Sequence, residues 1–268
     1  MSDNLTEIFI DNLYILKNKN FEDSTRLKAK KCLLDYLGVT FAGANMQKKK
    51  INKLLELLGT GKEESSIIGF NSKENILNTA FINGLNSHVA ELDDGVRFGG
   101  IHPGAPVISA LLPIVEKEDI NGENLIKGII IGYEAAIRLA QSIQPSHYNK
   151  GYHPTGTCGT IGAVVAVGTV FDFSKKEMKN AISAAANIAS GSLKVIKDNS
   201  ELKPFNVGNA AKSAILSAYM AKVNFSGPDD ILSGDKGFFF LMSDKVNNSC
   251  LKKDTKDIYR IEKFYFKT

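Results

Sequence analysis

Cysteine is scarce in this sequence of 268 residues. The three cysteines, Cys32, Cys158 and Cys250, lie far apart and lack the CxxC spacing of a zinc ribbon, and their odd number does not fit a disulfide framework. We therefore expect free thiols and a cytoplasmic protein. The position of Cys158, one turn into an apolar predicted helix, indicates packing rather than nucleophilic chemistry.

The sequence also lacks a strong charge of one sign and a long apolar run. Its net charge of +4 comes from lysines mixed with acids, a pattern that does not indicate a nucleic-acid partner. The longest uncharged run, TGTCGTIGAVVAVGTVF, is marginally short for a membrane span and rich in glycine and threonine. The N-terminus carries acids where a signal peptide carries basic residues. We expect no membrane partner and interpret the run as a buried helix.

Helical periodicity dominates the sequence up to about residue 242. Five segments between residues 5 and 143 carry apolar residues at i, i+3, i+4 and i+7, and these predict amphipathic helices around one core. Two later segments, near 158–171 and 178–190, are rich in small residues and predict closely packed central helices. Only DIYRIEKFYF, near the C-terminus, alternates like a strand. The sequence predicts an all-α domain of about ten helices over residues 1–250, with a short strand within 251–268.

Three basic residues stand directly before prolines at the start of predicted helices: His102, His153 and Lys203. The residue before a proline is kept out of the α region, so each helix should begin after it. A helix N-terminus favours anions through its free N–H groups and its dipole. We predict that the three side chains meet in one cleft that binds an anion. The alternative is that each of them only stabilises a turn.

Several neighbouring residues are further candidates. His88 and Glu91 lie three residues apart on a predicted helix and can pair, which indicates a supporting role for His88. Asp93 and Asp94 either cap the end of this helix or orient a catalytic histidine. Arg97 is a candidate carboxylate clamp because of its bidentate guanidinium group.

Thr155 and Thr157 follow His153 and offer hydroxyl donors to a ligand. His147 falls in a segment that we predict to be a surface loop. A zinc site formed by the other three histidines is compatible with the ligand type, but no short ligand spacing supports it, so we expect no metal.

Five ordered motifs make the sequence resemble the MmgE/PrpD family, which includes 2-methylcitrate dehydratase, cis-aconitate decarboxylase and iminodisuccinate epimerase. The motifs cover nearly the whole chain: NGLNSHVAELDDG, IHPGAPVISALLPIVE, GYHPTGTCGTIGAVVAVG, LKPFNVGNAAKSA and GPDDILSGDKGF. The resemblance implies a large helical domain and a smaller α+β domain, with the active site between them, usually in a homodimer that uses neither metal nor organic cofactor. The stretch within 251–268 then corresponds to the start of an α+β domain that we expect to be absent from the chain, so that a second chain or domain is needed to complete the site.

The resemblance also implies roles for individual residues. His102 matches the histidine of an H-P-G/S motif, His153 that of H-P-P/T-G-T, and Lys203 the lysine of K-P-x-x-x-G-N-A. The acidic stretch matches a D-x-D-D motif in which glutamate replaces the first aspartate, and Gly95 stands where the decarboxylase has threonine. Lys267 matches a lysine that opens the second domain.

The family reactions share a proton transfer at a carbon α or β to a carboxylate on a small polycarboxylic acid, which requires a base that titrates near neutral pH and fixed positive charge. We interpret His102 and His153 as the acid/base pair and Lys203 as the carboxylate clamp. We expect the cleft to be open to solvent and its histidines to titrate near ordinary values. Substrate contacts are expected from Glu91, Asp93, Asp94, Arg97, Thr155, Thr157 and Lys267. The alternative is an inactive helical fragment that retains its fold, dimerises and binds anions weakly.

Overall fold

The structure, a computed structural model, describes residues 4–59, 61–252 and 259–267. These residues form ten α-helices, three short 3-10 helices and one two-stranded antiparallel hairpin. The α-helices are α1 (Leu5–Lys17), α2 (Asp23–Leu58), α3 (Ile76–Val89), α4 (Gly104–Lys117), α5 (Gly122–Ile143), α6 (Ser146–Asn149), α7 (Pro154–Val170), α8 (Lys175–Ile188), α9 (Lys203–Lys222) and α10 (Phe238–Met242). The hairpin pairs β1 (Ser65–Ser66) with β2 (Lys73–Glu74), and the 3-10 helices are Leu193–Ile196, Asn248–Leu251 and Arg260–Lys263. The predicted mainly helical fold is confirmed.

The helices begin in two different ways. Asn75 and Asn121 accept hydrogen bonds from backbone N–H groups of the first turns of α3 and α5, and Ser174 forms a reciprocal capping box with Glu177 at α8. By contrast, the N-cap residues of α4, α7 and α9 offer no capping side chain, and α7 and α9 carry proline in their first turn. The three helices at whose starts His102, His153 and Lys203 lie therefore begin without a cap from their own N-cap residue, and α9 includes Lys203 as its first residue.

Helix α7 lies at the centre of the molecule, as predicted from its small residues. Sixteen of its 17 residues are buried, and it packs against α4, α5, α8 and α9. Its contact with α5 is close because glycines face each other: a Cβ on Gly132 would lie 2.7 Å from Ala166 Cβ, and one on Gly162 would lie 2.9 Å from the carbonyl oxygen of Gly132. Among the described helices, none is both long and apolar enough to cross a membrane.

We expect Gly162→Ala to lower the free energy of unfolding by about 1–3 kcal/mol, because the new methyl group overlaps α5. Gly38→Ala is the matched control: a Cβ at this position in α2 meets nothing within 4 Å, so the better helix propensity of alanine should stabilise the protein by about 0.5–1 kcal/mol. Urea unfolding of both variants measures the difference. Equal effects of the two substitutions would contradict the close helix contact.

Helix α8 is not central, contrary to the prediction from its composition. One face is buried around Ala181 and Ala185, while Lys175, Lys176 and Asn187 are exposed. Its small residues allow close approach to α7 and α9 on one side only. An alanine-rich segment therefore indicates a close helix contact, but it does not by itself indicate burial on all sides.

The predicted terminal strand is wrong for the described residues 259–267, while residues 253–258 lie outside the described part. Arg260–Lys263 form a 3-10 helix, and Tyr265 forms a single antiparallel bridge with Gly95. The alternating apolar residues are buried against the helices instead, since Tyr259, Ile261 and Phe264 are part of the main hydrophobic core. The segment has strand-like composition, but its partners are helix faces and one loop.

Candidate active site

One cleft of about 620 Å³ lies where the three basic residues that precede prolines meet. His102 comes from the turn before α4, His153 is the N-cap residue of α7, and Lys203 is the first residue of α9. All three side chains belong to the lining, so the chain brings together residues that are about fifty positions apart. The rest of the lining is partly apolar and consists of Met46, Gln47, Val89, Glu91, Gly100, Tyr148, Pro154, Leu193, Ile196, Ser200, Glu201 and Pro204.

The hydrogen bonds of His102 determine which of its ring nitrogens carries the proton. Its Nδ1 lies 2.6 Å from the carbonyl oxygen of Asp94, and because a carbonyl only accepts, Nδ1 must donate. In the neutral ring, Nε2 then has a free lone pair. Burial lowers the pKa of His102, although the negative charge of Asp93 acts in the opposite direction. The neutral ring, with a basic Nε2, is therefore the favoured form.

His153 has the opposite tautomer. The amide Nδ2 of Asn206 donates to His153 Nδ1 at 3.2 Å and to the carbonyl oxygen of Ser192, so the ring proton of His153 lies on Nε2. Burial, followed by the nearby His88 and Lys203, lowers the pKa of His153 to about 2. This imidazole stays neutral at ordinary pH and presents an N–H donor. Sequence reasoning missed Asn206, although it lies one helical turn after Lys203.

The acidic stretch orients histidines rather than facing solvent. Asp93 Oδ2 lies 2.6 Å from His88 Nδ1 and 3.7 Å from His102 Nδ1, and its Oδ1 lies 3.2 Å from Lys267 Nζ. Burial opposes the ionisation of Asp93, but His88, His102 and Lys267 outweigh it and hold the pKa of Asp93 well below its usual range. Of the two roles considered for Asp93, orientation of a histidine fits this geometry.

Asp94 acts on His102 from the other side. Its carboxylate accepts hydrogen bonds from Tyr133 Oη at 2.7 Å and from the backbone N–H of Gly104 at 3.1 Å, which ties the acidic turn to the start of α4. Burial and the nearby Asp93 raise the pKa of Asp94 to about 7, although the bond from Tyr133 opposes the shift. Asp94 has a relative exposure of 2% and does not line the cleft, so its role as a direct substrate contact is not supported.

The predicted pairing of His88 with Glu91 is wrong. Helix α3 ends at Val89, and Glu91 adopts a left-handed φ of 56° that turns its side chain toward the cleft. Its carboxylate holds Lys203 Nζ at 2.6 and 2.5 Å. Lys203 is the only lysine or arginine that lines this cleft in the described part of the chain, so its charge is already matched by a carboxylate.

Lys267 and Arg97 do not line the cleft. Lys267 donates to Asp93 and to the carbonyl oxygen of Glu91, so it supports the acidic turn from behind. Arg97 packs over the ring of Tyr265, with 5.3 Å between its Cζ and the ring centroid, and it lines a neighbouring depression instead. The turn that follows Gly95 directs Arg97 away from His102.

The two threonines are buried, and their hydroxyl groups are engaged within the protein. Thr155 Oγ1 accepts a hydrogen bond from the backbone N–H of His102 at 3.2 Å, so it connects the first turn of α7 to the turn before α4. Thr157 Oγ1 lies 2.7 Å from His147 Nε2. Neither residue lines the cleft, and the prediction that they donate to a ligand is not supported by this geometry.

His147 is buried, contrary to the prediction of a surface loop. Its Nδ1 lies 2.9 Å from the carbonyl oxygen of Met242, its Nε2 contacts Thr157, and its ring stacks on Tyr152. Burial lowers the pKa of His147 to about 4. His147 lies outside the cleft, but the expectation that the histidines of the cleft titrate near ordinary values is wrong for His102 and His153, whose pKa values burial lowers. Local composition did not reveal the burial of His147 because it depends on residues of other helices. Met242 lies on α10, far away in sequence, and Thr157 lies on α7.

Acidification is expected to destabilise the protein in part through His147. Its pKa is about 4 in the folded state and about 6.5 in an unfolded chain, so the unfolded state binds more protons between these values, and stability falls as pH decreases. The loss from this residue should reach about 2 kcal/mol at pH 5. Urea unfolding at pH 7.5 and 5 should show a pH-dependent loss that is smaller by this amount in His147→Gln. The buried control Cys158→Ala should keep the full loss, and an unchanged loss in His147→Gln would contradict the prediction.

Among the described residues, no group of three or more histidine, cysteine, aspartate or glutamate side chains has an arrangement that could hold a metal ion. The three cysteines are buried, and burial raises the pKa of Cys158 to about 12. A packing role for Cys158 agrees with this environment. The lining of the cleft offers imidazole, ammonium, carboxylate and hydroxyl groups.

Comparison with known proteins connects this cleft to a family. A model described as the MmgE/PrpD N-terminal domain matches residues 12–250. The cis-aconitate decarboxylase of Homo sapiens is 25% identical over 244 residues, which are 89% of this chain and 50% of that protein. The enzyme of Mus musculus is 27% identical over 255 residues, with a coverage of 89% and 49%.

A cis-aconitate decarboxylase-like protein of Aspergillus oryzae is 22% identical over 190 residues, which are 68% of this chain and 39% of that protein. The chain thus spans about half the length of the mammalian relatives it matches. Because the family model covers most of the sequence and the helical fold agrees with it, the chain belongs to the MmgE/PrpD family.

Proposed function

We propose that this chain supplies the helical side of a lyase or isomerase active site, which moves a proton at a carbon next to a carboxylate of a small di- or tricarboxylic acid. The observation that carries the proposal is the pair of opposite tautomers in one cleft: His102 presents a lone pair at Nε2, and His153 presents an N–H at Nε2. A base beside a neutral hydrogen-bond donor is suited to enolate chemistry.

In the proposed reaction, His102 is the base. Its Nε2 takes the proton from the substrate carbon, the C–H electron pair moves into an enolate, and the imidazolium that forms is stabilised by Asp93. His153 donates its Nε2 proton in a hydrogen bond to the enolate oxygen without giving it up, because loss of that proton would leave an anionic ring. This refines the acid/base pair predicted from sequence: His102 is the group that transfers the proton, and His153 stabilises the charge.

Lys203 binds a substrate carboxylate after Glu91 moves away. In this exchange, a substrate carboxylate replaces the carboxylate of Glu91 on the same ammonium group, so Lys203 keeps a charge-assisted hydrogen bond. Loss of a carboxylate as carbon dioxide would generate the same kind of enolate, and His102 would protonate its carbon only when the ring starts as imidazolium, with a proton on Nε2 that it gives up to return to the neutral form. The names of the mammalian relatives make a decarboxylation of this kind the first reaction to examine. Dehydration, as in 2-methylcitrate dehydratase, and epimerisation, as in iminodisuccinate epimerase, use the same first intermediate.

We further propose that a second domain, on the same or another polypeptide, covers the cleft, that the assembly is a cytoplasmic homodimer, and that it needs no metal or organic cofactor. Support for the second domain comes from the mammalian relatives, because this chain spans only about half of their length. An uncovered cleft stabilises an enolate poorly because water screens its charges.

The test is deuterium incorporation. The chain, alone and together with a polypeptide that corresponds to the second half of the relatives, is incubated in D₂O with citrate, 2-methylcitrate, cis-aconitate or an iminodisuccinate analogue. Proton NMR should show exchange at a carbon next to a carboxylate. Lys203→Gln should raise the substrate concentration needed for half-maximal exchange, whereas Lys212→Gln, an exposed change on the same helix, should not.

One observation favours the alternative of an inactive fragment that binds anions only weakly. The charge of Lys203 is already matched by Glu91, which weakens its attraction for any other carboxylate. In that case carboxylates protect the chain against thermal unfolding, but no acid exchanges its protons with or without the second polypeptide. That result would reject the proposed catalytic function.

A further inference from the structure

Two imidazoles face the same buried carboxylate oxygen behind the cleft, and only the ring of His88 is hydrogen-bonded to it. Asp93 Oδ2 lies 2.6 Å from His88 Nδ1 and 3.7 Å from His102 Nδ1. The ring centroids of His88 and His102 are 5.2 Å apart. His88 is fully buried on α3, whereas His102 reaches the cleft. A single negative charge therefore faces an inner imidazole and an outer one.

The second nitrogen of His88 distinguishes it from a packing histidine. His88 Nε2 is buried and has no hydrogen-bond partner among the described residues. His147, which is equally buried, has partners at both of its ring nitrogens. The ring of His88 also lies 5.6 Å from that of His153, measured between centroids. A buried nitrogen without a partner, next to both cleft histidines, is a feature that a packing role alone does not explain.

We propose that His88, Asp93 and His102 form one proton-sharing unit, in which His88 is a positioning residue that acts on the base His102 through Asp93. This inference rests on the proposed function, since it assigns the base role to His102. The unit holds one extra proton at most, because two imidazolium rings at this separation would share only one carboxylate oxygen. A proton that His102 Nε2 takes from the substrate therefore lowers the tendency of His88 to hold one, and the reverse also applies.

The charges around the unit agree with this limit. Lys267 Nζ lies 3.2 Å from the other oxygen of Asp93, so the carboxylate is already balanced when both rings are neutral. Asp35 on α2 and the adjacent Asp94 also face Asp93, and burial raises the pKa of Asp35 to about 6 and that of Asp94 to about 7. On the α7 and α9 side, the unit faces the neutral ring of His153, with Lys203 and Glu91 beyond it as an ion pair.

The test uses NMR of the full chain labelled with ¹⁵N-histidine, since four histidines give few signals. In the unchanged protein, the ring nitrogens of His88 and His102 should respond to pH over one common range, and together they should take up one proton. Independent uptake of a full proton by each ring would overturn the proposal. This measurement needs no variant, so a folding defect cannot obscure it.

Variants test the direction of the coupling. His88→Asn keeps an N–H near Asp93 but cannot take a proton, so the pH midpoint of His102 should rise by about one unit. Asp93→Asn should lower the same midpoint, and the neighbouring control Ser87→Ala, whose hydroxyl only bonds to Gly84 within α3, should not change it. His88→Gln serves as a second variant if His88→Asn unfolds. A midpoint of His102 that is unchanged in a folded His88 variant would overturn the proposal.

An activity readout separates this inference from the proposed function. In an assembly that exchanges deuterium, the acidic limb of the rate profile should move to higher pH in His88→Asn, because the base His102 must be neutral to act. If the shared titration is observed but no acid exchanges its protons, the unit stands and the proposed function fails. If exchange occurs while the two rings titrate independently, the function stands and the unit fails.

Discussion

Replacing Glu134 by alanine is expected to lower the free energy of unfolding by about 3–5 kcal/mol, the largest stability loss that we predict. Glu134 Oε2 lies 2.9 Å from Arg138 Nε one turn further along α5, and both side chains are buried. Glu134 also accepts a hydrogen bond from the backbone N–H of Arg260. Its removal takes the Glu134 carboxylate away from the buried guanidinium group of Arg138 and releases the segment that carries Lys267.

Urea unfolding at neutral pH measures this loss. Glu123→Ala on the same helix is the matched control, because its partner Arg26 is exposed in part and Glu123 is largely exposed. The control should lose no more than about 1 kcal/mol. A double variant, Glu134→Ala with Arg138→Met, should recover part of the loss, since the buried charge that faced Glu134 is then absent. A loss in Glu134→Ala as small as that of the control would show that the buried pair does not contribute as described.

Replacing His102 by glutamine is expected to reduce proton exchange by about 10²–10⁴-fold in an assembly that is active. The amide can still donate to the carbonyl oxygen of Asp94, but it has no basic nitrogen for the substrate proton. Binding of the carboxylate at Lys203 should change much less, so the loss should appear in the maximal rate rather than in the half-saturating concentration.

The rate is measured by NMR in D₂O under saturating substrate. His147→Gln is the matched control at pH 7.5, because His147 is buried against Met242 and Thr157 and lies outside the cleft. Retention of the full rate in His102→Gln would remove the base role of His102. Equal losses in both variants would indicate a general effect of substituting buried imidazoles.

The convergence of the three basic residues could be predicted because it depends on local rules. Proline after each residue sets where a helix begins, and the first turns of helices favour anions. The partners of these residues could not be predicted in the same way. Glu91 turned to Lys203 because α3 ends at Val89, and this end is not marked by a glycine or a proline. Sequence spacing alone suggested that the helix continues.

Burial was the property most often missed. The environment of His147 depends on contacts with Met242 and Thr157, and that of Asp94 depends on Tyr133 of α5. Such contacts arise from the packing of distant helices, which local composition does not encode. The small residues of α7 did predict its central place, since a helix without charged side chains on any face has no side that strongly favours solvent.

In the cleft, the carboxylate of Glu91 competes with the carboxylate of a ligand for Lys203. A substrate carboxylate that reaches Lys203 replaces a carboxylate already held at 2.5–2.6 Å, so the net gain in charge attraction is small. The effective local concentration of Glu91 is high because it is tethered to the same chain. Under the proposed function, a weak anion therefore fails to occupy the site, while an acid with additional contacts in the cleft displaces Glu91. Selectivity then arises from the competition itself, as well as from the shape of the cleft.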